Sequence, residues 1–137
     1  MGLILDSTVF IAAERQNLSA RQTLVGIGSR FPGEQFALSV VSLIELAHGV
    51  ARADTAQRKA TRQLYLNELM AASPVYPITA SIALLAGQID GENASKGIRI
   101  AFPDLLIGVT ALELGYQVGT ANQRHFHTIP GLAVVSL

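Results

Sequence analysis

Short apolar segments alternate with longer helical segments along the whole chain of 137 residues. The first of them, Leu3–Leu5, is uniformly apolar and ends abruptly at Asp6. A uniformly apolar run of this length is typical of a strand that is buried on both faces of a sheet. Strands that alternate with helices favour a parallel sheet covered by helices. We therefore predict an α/β fold with a central, mostly parallel sheet.

Five strands and six helices follow from the apolar patterns. The predicted strands cover residues 3–5, 36–39, 75–78, 116–119 and 132–135. The predicted helices cover about residues 9–13, 19–29, 41–52, 55–72, 80–93 and 105–114, with Thr79 and Gly115 as caps of the last two. Pro77 favours an edge position or a strand end for the third strand. Residues 95–103 are predicted as a loop, and residues 120–129 as a loop or short helix.

The composition is that of an ordinary globular protein and predicts a single domain over residues 1–137. Ten Lys and Arg balance ten Asp and Glu, so the formal net charge is zero. This argues against a protein that coats RNA through bulk basicity, although a local basic patch is enough to bind phosphates. Arg58, Lys59 and Arg62 lie on roughly one helix face and either guide RNA or are simply solvated.

Several classes of function lack support in the sequence. The chain has no cysteine, which excludes disulfides, thiolate zinc sites and thiol catalysis. His125 and His127 are two residues apart, no His-Glu-x-x-His pattern accompanies them, and a zinc site is not predicted. Nucleotide hydrolysis and dinucleotide binding lack their glycine-rich motifs.

The N-terminal segment predicts a protein that is not secreted. It has no basic region before its apolar run and meets an acid at Asp6. No apolar run approaches the roughly 20 residues that span a bilayer. We therefore expect a soluble, cytoplasmic protein without a membrane partner.

Three acids stand out by their positions: Asp6, Glu45 and Asp104. Asp6 follows the first strand and precedes a helix, and Asp104 precedes the last helix, so each is also a candidate helix N-cap. Glu45 lies in the mostly apolar run 40–47, where a buried carboxylate needs a partner unless it occupies a narrow solvent-facing stripe. The other acids are predicted to be solvated surface charges: Glu14, Glu34, Asp54, Glu68, Asp90, Glu92 and Glu113.

Taken together, Asp6, Glu45 and Asp104 are candidate ligands of one cation. Carboxylates that converge in a cleft stay ionised only when a cation lies between them. A site made only of oxygen ligands favours Mg²⁺ or Mn²⁺ over zinc. Such a cation activates water and neutralises charge in the cleavage of a phosphodiester. The acids therefore predict a metal-dependent hydrolase.

Four segments, in order along the chain, resemble the motifs of PIN domains. Leu5–Ile11 resembles the opening motif, in which Asp and Ser or Thr follow a hydrophobic residue. Ser39–Gly49 is similar to the second motif, and Asp104–Ala111 to the third, in which Asp begins a helix of small and apolar residues. Gly119–Phe126 and the tail Ile129–Leu132 resemble the fourth. The resemblance spans the whole chain, and within the family it is most similar to VapC toxins.

The resemblance implies a three-layer α/β/α sandwich and an endoribonuclease that depends on Mg²⁺ or Mn²⁺. Asp6, Glu45 and Asp104 would be its metal ligands and, with Asn122, its catalytic residues. Ser7, Thr8 and Thr120 would support the site, and Arg124 would contact phosphate unless it is a solvated loop residue. The implied partners are an RNA substrate, a VapB-like antitoxin and a second copy of the chain in a homodimer, which the apolar helices also favour.

The fourth motif departs from the family pattern. PIN domains often carry an Asp where Asn122 or His125 stands, and here neither residue is acidic. The Asn122 carbonyl can still ligate a metal, but the lost charge predicts one firm metal site and a weaker second one. Two alternatives follow: a PIN-fold module that binds RNA or an antitoxin without cutting, and a phosphatase with Asp6 as nucleophile. Thr8 argues against the phosphatase, because such enzymes usually carry a second Asp at that position.

Overall fold

Five strands and six α-helices alternate along the chain in the computed structural model, which describes residues 1–137. The strands are β1 (Gly2–Leu5), β2 (Gln35–Ser39), β3 (Val75–Tyr76), β4 (Gln117–Thr120) and β5 (Val134–Ser136). The helices are α1 (Ser7–Arg15), α2 (Ala20–Arg30), α3 (Val40–Ala51), α4 (Ala56–Ala72), α5 (Ala80–Ser95) and α6 (Phe102–Leu114), and a 3-10 helix covers Gln123–Phe126. No helix combines the length and the hydropathy needed to cross a membrane.

The strands form one parallel sheet in the order β3-β2-β1-β4-β5. β1 is the central strand: Leu3 pairs with Phe36 of β2 on one side and with Gln117 of β4 on the other. Along the chain, β2 and β3 are added on one side of β1, and β4 and β5 are then added on its other side. The strand order therefore reverses between β1 and β4, which is where open α/β sheets bind ligands. β3 is an edge strand, as Pro77 predicts.

Two hydrophobic cores lie on opposite faces of the sheet. Successive side chains of a strand point to opposite faces, so Ile4 packs into one core while Leu3 and Leu5 pack into the other. The first core is completed mainly by α5 and α6, and the second by α1, α2 and α4. The predicted three-layer α/β/α arrangement is confirmed.

The helix ends agree with the local sequence in most places. Thr79 accepts a hydrogen bond from the backbone N–H of Ile82 and caps α5, as predicted. Gly115 ends α6 in the left-handed region, with φ of 67°, a conformation that glycine adopts without a steric penalty. α6, however, begins at Phe102 inside the predicted loop, with Pro103 in its first turn. Proline fits there because the first turn has no intrahelical acceptor for its N–H.

The predicted basic face of α4 is not a uniform patch. Arg62 donates from Nε to Oε1 of Glu14 at 2.8 Å and from Nη1 to the carbonyl of Gly49 at 2.7 Å. It thereby joins α4 to α1 and α3, so Arg62 is not simply a solvated charge. Glu14, predicted to be a solvated surface charge, is partly exposed but pairs with Arg62. Arg58 pairs only with Asp54, and both of these side chains are mostly exposed.

We expect the Arg62→Met substitution to lower the free energy of unfolding by about 1–2 kcal/mol, because it removes two hydrogen bonds of a partly buried cation. Arg58→Met is the matched control: it removes an exposed pair one turn away on the same helix and should change stability by less than about 0.5 kcal/mol. Urea denaturation measures both. Equal losses in the two variants would contradict a structural role for Arg62.

Candidate active site at the carboxyl ends of β1 and β4

The candidate site lies where the strand order of the sheet reverses. Asp6 directly follows β1, and Thr120 is the last residue of β4. The Thr120 hydroxyl donates to Oδ2 of Asp6 at 2.9 Å and so connects the carboxyl ends of the two strands. This is the edge at which parallel sheets present their ligand sites. The sequence predicted Asp6 at a strand end, and the sheet topology adds Thr120 as its neighbour.

Asp6 is held by two hydroxyl groups on the same oxygen. It is 1% exposed, and its Oδ2 accepts hydrogen bonds from Thr8 at 2.7 Å and from Thr120 at 2.9 Å. Each hydroxyl also accepts a backbone N–H, Thr8 from Ala121 and Thr120 from Asn122. The two hydroxyls also lie 3.2 Å apart. Because an ionised carboxylate can only accept, both can donate to Asp6. Its Oδ1 accepts no hydrogen bond from the protein and is left for another ligand.

Asp6 occupies the N-cap position of α1, but its side chain makes no capping hydrogen bond. Asp104 is the third residue of α6, and Ala101 stands at the N-cap position of that helix. Neither carboxylate therefore serves as the helix cap that its sequence position suggested.

Glu45 reaches the same region from α3. Its Oε1 accepts a hydrogen bond from the Ser7 hydroxyl at 2.9 Å, which joins α3 to the start of α1. Burial is the main cause that raises the pKa of Glu45; the Ser7 hydrogen bond lowers it, and the charges of Asp6 and Asp104 raise it further. Asp6 and Asp104, whose charges act on Glu45, are the other two predicted ligands. Glu45 therefore does not lie on a stripe of α3 that only faces solvent, which was the alternative prediction.

The burial expected for the apolar run of α3 is only partly correct. Glu45 is half-buried, whereas its neighbour Ile44 is 66% exposed. α3 contacts α1, α4, α6 and β2. Ile44 and Ala47 nevertheless stay exposed, so the helix is not buried all round.

Asp104 completes the group of carboxylates from the first turn of α6. Burial is the main cause that raises the pKa of Asp104, and the charge of Asp6 raises it further. His125 opposes this effect, since its Nδ1 lies 3.2 Å from Oδ2 of Asp104. The side chain of Asp104 is only 14% exposed, so its charge is poorly solvated.

The fourth motif places Asn122 and His125 beside Asp104. Nδ2 of Asn122 lies 2.9 Å from Nε2 of His125, whose Nδ1 lies next to Asp104. The sequence analysis considered His125 as a zinc ligand and as a place where an acid is missing, and its contact with Asp104 is visible only in three dimensions. Arg124 is exposed and makes no hydrogen bond or ion pair.

The donor set fits a hard divalent cation in its chemistry. Asp6, Glu45 and Asp104 influence one another electrostatically, and all of their donor atoms are oxygens. No three acidic or histidine side chains already surround a common point in this structure. Carboxylates without a cation repel one another, so we expect these three to draw closer when one binds.

A pH prediction follows from the raised pKa of Glu45. A carboxyl with a raised pKa in the folded state stabilises the fold below its unfolded pKa, and this stability is lost as the pH rises through the raised value. In EDTA at pH 7, Glu45→Gln should therefore raise Tm by a few degrees, because it removes a poorly solvated charge and keeps the acceptor for Ser7. The gain should vanish near pH 4.

Thermal denaturation at the two pH values measures this difference. Glu68→Gln, an exposed position on α4, is the control and should leave Tm unchanged at both. Added Mg²⁺ should stabilise the unsubstituted chain more than Glu45→Gln at pH 7. If Glu45→Gln had a lower Tm than the unsubstituted chain in EDTA at pH 7, burial and the charges of Asp6 and Asp104 would not destabilise the ionised Glu45, and the prediction would be wrong.

Comparison with known proteins decides the family. The sequence model of the PIN domain matches residues 3–132. The chain belongs to the PIN domain family. Ribonuclease VapC1 of Rickettsia felis is 28% identical to it over 137 residues, covering 100% of this chain and 97% of the relative. Ribonuclease VapC of Rickettsia bellii is 26% identical with the same coverage.

The PIN fold is also found among solved structures. A chain of VapBC2 from Rickettsia felis, in a complex bound to a DNA fragment from their promoter, superposes with a TM-score of 0.83 at 22% identity. The match covers 100% of this chain and 99% of that chain. The resemblance of the four motifs to PIN domains is thus confirmed, and so is the predicted fold.

Proposed function

We propose that this PIN domain is an endoribonuclease toxin of the VapC kind that depends on a divalent cation, Mg²⁺ or Mn²⁺. One observation carries the proposal: the hydroxyls of Thr8 and Thr120 fix one oxygen of Asp6, and the charge of Asp6 acts on both Glu45 and Asp104. The names of the VapC ribonuclease relatives support the reaction class. PIN-domain ribonucleases in general depend on divalent metal, which agrees with the three carboxylates.

In the proposed mechanism, Asp6, Glu45 and Asp104 hold the cation. When bound, it supplies positive charge that acidifies water and stabilises charge on the phosphate. Thr8, Thr120 and Ser7 act earlier, because they fix the carboxylates before substrate binds.

The reaction is in-line hydrolysis of an RNA phosphodiester. The oxygen of a water molecule bonds to phosphorus and the water loses a proton to solvent, while the P–O bond to one ribose oxygen breaks and the leaving oxygen takes a proton from solvent. No side chain forms a covalent intermediate. The PIN family match removes the support for the alternative phosphatase, in which Asp6 would have been the nucleophile.

Asn122 and Arg124 are assigned secondary roles. Asn122 contributes a neutral amide in place of a carboxylate, so the site has three negative charges rather than four and should bind a second cation weakly. Arg124 is exposed near the site and is available to contact a phosphate. We propose both roles from the family motif and from their positions after β4.

The same proposal extends to partners and organisation. We infer that residues 1–137 form one domain, that it binds a VapB-like antitoxin and that it forms a homodimer. The similarity of the fold to a VapBC complex supports the antitoxin. Ile44 and Leu84 are apolar and exposed on helices of the single chain, and a second copy or an antitoxin would cover them. We place its activity in the cytoplasm, where RNA substrates are found.

The experiment is cleavage of transfer and ribosomal RNA by the purified chain. We expect cleavage with Mg²⁺ or Mn²⁺, no cleavage in EDTA, and none by Glu45→Gln. Glu68→Gln is the matched control, because it removes the same charge from an exposed position on α4. Cleavage that persists in EDTA or in Glu45→Gln would contradict the proposed site. A folded protein that binds metal and antitoxin but cuts no RNA would instead favour the binding module.

A further inference from the structure

His125 contacts two residues of the site at once. Its Nδ1 lies 3.2 Å from Oδ2 of Asp104, and its Nε2 lies 2.9 Å from Nδ2 of Asn122. The ring is about half exposed, so it does not fill a core position. It bridges the 3-10 helix after β4 and the first turn of α6.

The direction of these two hydrogen bonds follows from the groups involved. An ionised carboxylate has no proton to donate, so a hydrogen bond across this 3.2 Å contact requires the proton on Nδ1 of His125. Nε2 then has a lone pair, and the amide nitrogen of Asn122 donates to it. The two contacts connect Asn122 through His125 to Asp104, and they require only one proton on the imidazole ring.

The three carboxylates then share one pattern of support. Thr8 and Thr120 hold one oxygen of Asp6, Ser7 holds one oxygen of Glu45, and His125 holds one oxygen of Asp104. The second oxygen of each carboxylate accepts no hydrogen bond from the protein. Each ligand is thus fixed in orientation by a donor and keeps one oxygen for another partner.

We propose that His125 is a positioning residue that sets the affinity of the site for a divalent cation through Asp104. It stands where many PIN domains have an acid, but it acts by orienting an existing carboxylate instead of adding a fourth one. This inference rests on the proposed function, because it assumes that Asp104 is a metal ligand. Donors around a metal site that orient its ligands typically change metal affinity by about 10–100-fold when removed.

The test is titration of the purified protein with Mn²⁺ in the absence of RNA, with free Mn²⁺ measured by electron paramagnetic resonance. His125→Ala should weaken Mn²⁺ binding by about 10–100-fold. His125→Asn should restore most of it, because the asparagine amide nitrogen lies close to the position of Nδ1 and can still donate to Asp104. Gln123→Ala is the control and should leave Mn²⁺ binding unchanged, since it removes an exposed, uncharged side chain of the same 3-10 helix.

The outcomes separate this inference from the proposed function. Mn²⁺ binding by His125→Ala as tight as that of the unsubstituted chain would overturn the role of His125 and leave the metal site intact. Binding by His125→Asn as weak as by His125→Ala would also overturn it, because donation to Asp104 would then not be what matters. An unsubstituted chain that binds no Mn²⁺ would overturn the proposed metal site and this inference with it. Thermal denaturation of each variant verifies that it is folded.

Discussion

Asp6→Asn is expected to lower the rate of RNA cleavage by at least about 100-fold, which corresponds to a loss of about 3 kcal/mol of transition-state stabilisation. The substitution keeps the shape of the side chain and removes its charge. Asp6 is also the carboxylate on which two hydroxyls converge. An amide nitrogen in place of Oδ1 would offer a donor where a cation needs an acceptor.

Cleavage rates at saturating Mg²⁺ measure this effect, and circular dichroism establishes that the variant is folded. Asp90→Asn is the matched control, because Asp90 is an exposed acid on α5, far along the chain from any of the four motifs. It should cleave RNA at the unsubstituted rate. If Asp6→Asn retained more than half of the activity, Asp6 would not be a metal ligand of the reaction.

Phe126→Ala is expected to have the largest effect on stability, a loss of about 3–5 kcal/mol in the free energy of unfolding. Phe126 is 1% exposed and packs in the core on the α5 and α6 face of the sheet. It is also the last residue of the 3-10 helix that carries His125. Truncation leaves a cavity and releases the segment that orients the fourth motif.

The segment around Phe126 packs closely against α6. A Cβ atom on Gly108 of α6 would collide with Ile129 and would approach Leu132 to 3.1 Å. α6 therefore lies directly against the residues that follow the 3-10 helix. Urea denaturation of Phe126→Ala and of the milder control Phe126→Leu tests this. A loss below 1 kcal/mol for Phe126→Ala would show that the segment is not held by the core.

The sheet and its central strand were predictable from the sequence because their signal is local. Leu3–Leu5 is uniformly apolar, as a strand covered on both faces must be, and Asp6 ends it at the edge where ligands bind. The helices of a parallel sheet are long enough to show their own periodicity. The start of α6 was missed because Pro103 indicates a loop in most contexts but also fits the first turn of a helix.

The partners of the site residues were not predictable, because they come from distant parts of the chain. Ser7 reaches Glu45 across 38 positions, and Thr120 reaches Asp6 across 114. A repeating pattern in the sequence predicts local structure, not contacts between residues this far apart. The family motifs placed Thr8 and Thr120 near the site without saying which oxygen they would hold. From the sequence, His125 was a rejected zinc ligand and a position where an acid is missing; its contacts with Asp104 and Asn122 are visible only in the folded chain.

The most direct test of the account is a crystal structure of the protein soaked in Mn²⁺, with the metal located by its anomalous scattering. We predict one strong peak whose ligands are single oxygens of Asp6, Glu45 and Asp104, at about 2.0–2.2 Å. Each of these oxygens should be the one that accepts no hydrogen bond in the metal-free protein. A peak elsewhere, or a cation bound without Asp6, would contradict the three-carboxylate site.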